Sequence, residues 1–248
     1  MHKILLIGDA CIDIYKFGTI DRLNPEAPCP LVKSKYERQQ LGMAANVELN
    51  LSRYPITVHS NLYHGCEKIR YIDERSNYQL LRVDNDTIKE HRFSIFDENY
   101  YDNDYSAVVI SDYEKGFITD ESIFEIENNF KCPIFLDSKK RALSKFKKCI
   151  IKINESEFIS SDLDRDRKNL IVTLGKNGAR YNGKIYQTDD IKVHDVCGAG
   201  DTFLSALVYK YITTEDMVES IKFANKAAAI TVTKLGTYAP TLEEINYD

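Results

Sequence analysis

The sequence predicts an α/β fold, a mostly parallel central sheet under helices with a small β lid, and three observations carry that expectation. Four short apolar runs, 107–110, 134–136, 150–153 and 170–174, each stop in a cluster of polar residues. Buried parallel strands read this way when their carboxyl ends form one functional edge. Residues 57–83 instead alternate apolar and charged side chains, which suits strands with one wet face. The third observation is Asp195-Val-Cys-Gly198-Ala-Gly200-Asp201-Thr202, a glycine-rich turn that runs into Phe203, Leu204, Leu207, Val208 and Tyr211 at helical spacing.

In chain order, Ile4–Ile7 reads as a buried first strand ending in Gly8-Asp9, with Asp13 soon after. A carboxylate there either accepts hydrogen bonds from sugar hydroxyls or caps a local turn. Tyr15, Phe17 and Ile20 alternate, and Pro25, Pro28 and Pro30 then impose an extended, non-helical segment. Gly42 opens a helical stretch, 44–51, halted before Pro55, with Asn46 in its first turns. Strands at 57–63, 68–72 and 78–83, with a turn at 73–77, join 15–20 and 31–36 in a small sheet expected to be separate from the main one. Thr119 starts a helix carrying Ile123, Phe124 and Ile126, and Asn182-Gly183 turns a short hairpin. Thr214 precedes a last long helix with Met217, Val218, Ile221 and Ala224 on one face. The small residues after Asn225 suit tight packing or a flat aromatic ligand.

Composition narrows the function classes. The chain has 248 residues, 43% hydrophobic and 29% charged, which supports a large core in one or two domains. A net charge of −5 argues against a nucleic-acid partner, because no basic excess neutralises a phosphate backbone. The six cysteines form no CxxC pair, which reads as reduced thiols in a cytoplasmic protein. The first apolar run is too short for a signal peptide, and no run reaches the ~18 residues of a membrane helix.

The glycine turn carries the chemistry. A helix start aims free N–H groups at one point and attracts an anion, commonly phosphate. Asp201 beside such a site is unfavourable unless it has chemical work, and removing a proton from an attacking hydroxyl is such work. No GxxxxGK[ST] occurs, Phe203 breaks a GxGxxG reading, and no GxSxG surrounds a serine, so P-loop, dinucleotide and hydrolase readings fall away.

These residues resemble the ribokinase-like (PfkB) sugar kinases. Asp195 to Phe203 is similar to their DxxGAGDxF signature, Gly42-Met-Ala-Ala-Asn46 to their GGAAN loop, Asn154-Glu-Ser-Glu157 to NxxE, and Thr173-Leu-Gly175 with Gly178 to TxGxxG. Within that family, residues 24–30, 79–84, 111–116 and 223–237 resemble the kinase half of the heptose 7-phosphate kinase/adenylyltransferases of lipopolysaccharide-precursor synthesis. The resemblance implies a ribokinase-like three-layer sandwich over residues 1–248 as one carbohydrate kinase domain. Its lid strands would come from about 12–40 and 66–86, with no nucleotidyltransferase domain.

It further implies ATP-dependent phosphorylation of a sugar or sugar phosphate. Asp201 would be the base, and Gly198, Ala199 and Gly200 the anion hole. Asn154 and Glu157 would hold magnesium, with Thr173, Gly175, Gly178 and Asn225 at the nucleotide. Asp195 would serve a monovalent cation, potassium, and Asp9, Asp13, Gly42, Asn46 and Lys115 the sugar. A phosphorylated sugar needs a cationic clamp, for which Lys68, Arg70, Arg82, Lys115 and Lys139 all qualify. A homodimer through the lid edges is the expected assembly. Two departures stand out: Met43 occupies a glycine position of the sugar loop, and the chain is trimmed relative to the family between 86 and 107 and between 157 and 169.

Overall fold

Strand β1 (Lys3–Leu23) runs for 21 residues and serves two structures in turn. Its first half lies between β3 (Thr57–Asp73) and β5 (Ala107–Asp112), both parallel to it. From β5 the sheet continues through β6 (Ile134–Ser138), β7 (Ile150–Asn154) and β8 (Leu170–Thr173), all parallel, to the antiparallel hairpin β9 (Ala179–Tyr181) and β10 (Lys184–Tyr186). This computed structural model describes residues 1–86, 92–96, 100, 104–189 and 191–247. Most of the trimmed stretch between 86 and 107 lies outside them.

Past Ala10, β1 runs on beyond the end of β5 and pairs antiparallel with β2 (Pro30–Met43), while β3 follows it and pairs with β4 (Tyr78–Asp86). The lid is therefore not a separate sheet, as expected from sequence, but the outer half of one ten-stranded sheet. A β-bulge explains the difference. Asp9 pairs with Tyr63 and Cys11 with Cys66, so two residues, His64 and Gly65, oppose Ala10. Such a bulge bends a strand without ending it.

Both faces of the inner sheet are covered, which is why its strands are continuously apolar. Ile4, Leu6, Val109 and Phe135 pack against α1 (Ala44–Leu51), α4 (Ala199–Thr214), α5 (Met217–Thr231) and α6 (Leu242–Asn246). Leu5, Ile7, Val108 and Ile110 pack on the other face against Ile123 and Ile126 of α2 (Asp120–Asn129). The result is the three-layer sandwich. Thr119 caps α2, as its sequence suggests, and Asp216 caps α5, its Oδ1 accepting from the amides of Val218 and Glu219. No helix among the described residues is long and apolar enough to cross a membrane.

Candidate active site

The carboxyl ends of the inner strands meet the start of α4, and Asp201 stands where they meet. It is 6% exposed. Its Oδ2 accepts from Asn46 Nδ2 at 2.9 Å and its Oδ1 from the Tyr113 hydroxyl at 2.8 Å. Burial pushes its pKa up to about 6, against the pull of those two donors. Gly198, the N-cap of α4, adopts φ 75°, and a Cβ there would meet Asn46 Nδ2 at 2.7 Å. Glycine at that position is what lets the α1 helix and the anion turn touch. The first-turn N–H groups of α4 lack intrahelical partners, although that of Ala199 already donates to Val196 O at 3.3 Å.

A cavity of about 360 Å³ opens beside Asp201, lined also by Asp112, Tyr113, Asp137, Lys139, Lys152 and Glu157. Lys152 lies mid-strand in β7, 4% exposed, and its Nζ donates to Asp137 Oδ2 at 2.6 Å. Burial opposes its charge, but the Asp137 carboxylate outweighs burial and holds the ammonium above its ordinary range. A Cβ on Gly200 would lie 3.2 Å from that Nζ, so the buried ammonium stands directly beneath the anion turn. Sequence reasoning missed Lys152, yet a signal existed: a lysine inside an apolar strand must find a buried partner. Tyr113 was also missed, since its contact with Asp201 spans 88 positions.

Asn154 and Glu157 sit at the start of α3 (Glu155–Ser160), where each satisfies the other's amide in a capping box, at 2.9 and 2.8 Å. Glu157 Oε1 accepts in addition from Lys139 at 3.1 Å. The cavity thus holds four carboxylates against two lysines, an oxygen-rich, negative set suited to a hard cation. Among the described residues no three acidic, cysteine or histidine side chains close on one point.

A second cleft, about 250 Å³, adjoins the first and shares Thr173, Gly175, Val196 and Gly200 with it. Gly178, Asn225, Ala228 and Ala229 line its far part. Asn225 also ties α5 to the hairpin, donating to Tyr186 O at 2.8 Å. Gly178 holds φ 83° with Tyr186 O where a Cβ would be, so only glycine fits. Asp195 accepts from the amides of Cys197 and Gly236 at 3.0 and 2.9 Å. Burial works against its charge, but these amides hold its carboxyl below the usual range.

On the other side of Asp201, Asp9 Oδ2 accepts from the amides of Tyr113 and Lys115 at 2.8 and 3.2 Å, while its buried Oδ1 has no partner. Burial raises its pKa to about 6. Asp13 Oδ1 accepts from Arg70 Nη1 at 2.5 Å, and Gly42 packs against the Asp13 carboxylate and Cys11. Lys115 reaches Asp86 at 2.5 Å rather than the Asp201 cavity.

Met43 joins β2 to α1 with φ 58° and ψ −135°, a conformation that suits glycine and costs another residue ~1–3 kcal/mol. Both flanks fix it: Ala44 packs against Gly8, and Gly42 against Asp13. Removing the side chain should therefore invert the usual order of small residues. Met43→Gly is expected to melt above Met43→Ala by about 2–8 °C, the relieved strain exceeding the ~0.5–1 kcal/mol that glycine normally loses to alanine. Paired thermal denaturation curves check this, and an Ala variant at or above Gly would refute the strain.

Known proteins share this fold. The pattern of the pfkB family carbohydrate kinases matches residues 146–245. The bifunctional protein HldE of Nitratiruptor sp. is 31% identical, over 98% of this chain and 64% of that protein, so the chain spans less than two thirds of this curated relative. Arabidopsis thaliana ribokinase, complexed with ribose and ATP, is similar with a TM-score of 0.70 at 16% identity over 100% of both chains. Escherichia coli phosphofructokinase-2, in complex with potassium, is similar with a TM-score of 0.72 at 14% identity, over 99% of this chain and 97% of that one. The structural likeness makes the fold ribokinase-like, and residues 146–245 carry the match to the pfkB family of carbohydrate kinases.

Proposed function

We propose that the chain transfers the γ-phosphoryl group of ATP to a hydroxyl of a phosphorylated sugar. The substrate of this reading is heptose 7-phosphate, phosphorylated at the anomeric oxygen to the 1,7-bisphosphate. The observation that carries the reaction is the Asp201 carboxylate, buried at the junction of two adjoining clefts and oriented by Asn46 and Tyr113. Each carboxylate oxygen has accepted one hydrogen bond and keeps a lone pair for the sugar hydroxyl. Asp201 takes that proton as the oxygen attacks phosphorus, and the Gly198–Gly200 turn with Lys152 steadies the charge on the transferring group. ATP occupies the cleft of Thr173, Gly175, Gly178 and Asn225. Asn154 and Glu157 would hold magnesium, which would neutralise phosphate charge when bound. Asp195, kept ionised, serves potassium. Asp9, Asp13, Gly42, Asn46 and the backbone at Lys115 position the sugar.

Among the candidate clamps the structure separates Lys68 from the rest. Arg70 is paired with Asp13, Arg82 with Asp84 (2.7 Å), Lys115 with Asp86 and Lys139 with Glu157. Lys68 has no carboxylate in ion-pair range among the described residues, and its Nζ lies 5.7 Å from the centre of the Tyr113 ring. It is the cation free to meet a substrate phosphate. Lys68→Met is expected to raise KM for a phosphorylated sugar about 10–100-fold, the value of a charge-assisted hydrogen bond, while leaving KM for ATP unchanged. Equal KM values in steady-state assays would remove Lys68 from this role.

The likeness of residues 79–84 and 111–116 to the heptose-phosphate kinases supports the sugar, and with it a cytoplasmic role in lipopolysaccharide-precursor supply. The edges of β2 and β4 in the lid, open among the described residues, support a homodimer. The reaction is tested by ADP release with ATP, Mg²⁺ and K⁺ across hexose and heptose phosphates. Sugar-dependent release is expected, strongest with heptose 7-phosphate. No release above that of Asp201→Asn on any sugar would overturn the proposal.

A further inference from the structure

Met43 is only 3% exposed and packs in one cluster with Cys11, Cys66 and Tyr113. The cluster stands between two spaces. Tyr113 faces the Asp201 cavity of about 360 Å³, and Cys11 and Cys66 face an outer cavity of about 740 Å³ bounded by Asp84 and Asp86. Carboxylates line both cavities, joined in the inner one by Lys139 and Lys152, but the side chains of Cys11, Met43 and Cys66 end in sulfur and carbon. Burial keeps the two thiols neutral, with pKa values pushed up to about 12 and 11, and a neutral thiol or thioether is a weak hydrogen-bond partner. The chain keeps a side chain here although the backbone conformation suits glycine, and a glycine would leave this part of the wall without a side chain.

We propose that Met43 determines which sugars the site accepts. With Cys11 and Cys66 it forms an apolar wall beside the reacting hydroxyl, and it selects substrates whose edge at that wall carries hydrogen in place of a hydroxyl or a larger group. This rests on the sugar-kinase reading above. A hydroxyl turned toward the wall loses its water partners and gains none, and a larger substituent collides with the methionine. Removing the side chain opens space at that wall and admits both.

The test compares kcat/KM of the wild type and Met43→Gly on hexose and heptose phosphates, each paired with its monodeoxy analogues. The wild type is expected to favour the deoxy member where the altered carbon meets the wall. Met43→Gly should reduce that preference tenfold or more, within the 10–200-fold range by which one group in an apolar pocket discriminates. KM for ATP should stay within twofold, since the nucleotide cleft shares no residue with the wall. Met43→Ala supplies the same truncation if the glycine variant is poorly soluble. Turnover with preferences unchanged within threefold in a folded variant overturns this proposal and leaves the kinase reading standing. No turnover or calorimetric binding of any sugar by the wild type overturns both.

Discussion

Asp201→Asn is expected to lower kcat by about 10²–10⁴-fold, the range that a positioned general base supplies, while ATP affinity stays within about twofold. The same substitution should make the protein more stable at neutral pH. Burial raises the folded-state pKa of Asp201 to about 6, above the unfolded value near 3.8, so folding disfavours its charged form. The penalty is absent when the carboxyl is protonated in both states, grows between about pH 4 and 6, and is complete above pH 6. A neutral asparagine removes it, for a gain of about 1–3 kcal/mol at pH 7–8 and little below pH 4. In the wild type, kcat/KM should fall as pH drops through about 6, when the base becomes protonated. Asp9, also raised to about 6, titrates in the same window and steepens that limb. Melting curves at pH 5 and 8 check the stability, and a variant less stable than wild type at pH 8 would show that Asp201 is structural.

Lys152→Met is expected to destabilise by about 3–5 kcal/mol, roughly 6–20 °C in Tm, because it strands the Asp137 carboxylate beside a buried strand. Pairing it with Asp137→Asn should restore most of that loss, since a buried ion pair replaced as a unit costs little. Catalysis should respond differently. The double variant still lacks the ammonium under the anion turn, and kcat should remain about 10²–10³-fold down, the usual effect of losing one charge-stabilising group. Recovery of kcat along with Tm would confine Lys152 to a structural role.

The parallel core was legible because burial on both faces leaves unbroken apolar runs, and each run ended where its strand ends. The lid was legible as strands but not as a continuation of β1 and β3. Gly8-Asp9 looks like a strand terminus, and a bulge that bends a strand carries no periodicity of its own. The glycine turn and Asp201 were local in sequence, so their juxtaposition needed no fold. Tyr113 and Asn46, which orient that carboxylate, come from elements 88 and 155 positions away, and only the packing of α1 and the loop after β5 brings them together. Met43 drew notice as an odd residue at a glycine position. Its positive φ and the sulfur wall it completes are facts of the backbone path, not of the letter.

That β1 crosses the bulge unbroken gives the lid a mechanical ratio. At about 3.3 Å per residue, Asp13 lies roughly 10 Å beyond the pivot at Ala10, and the tip at Leu23 about 43 Å beyond it. A tilt that carries Asp13 and its Arg70 partner 1 Å toward the sugar sweeps the tip through ~4 Å, while Asp9, on the near side of the pivot, stays with the core. The far end of the lid, including whatever seats on the edges of β2 and β4, is then the long arm of a lever. A limit on movement applied there confines Asp13, the carboxylate proposed to meet the sugar, about four times more closely than the same limit applied at the site.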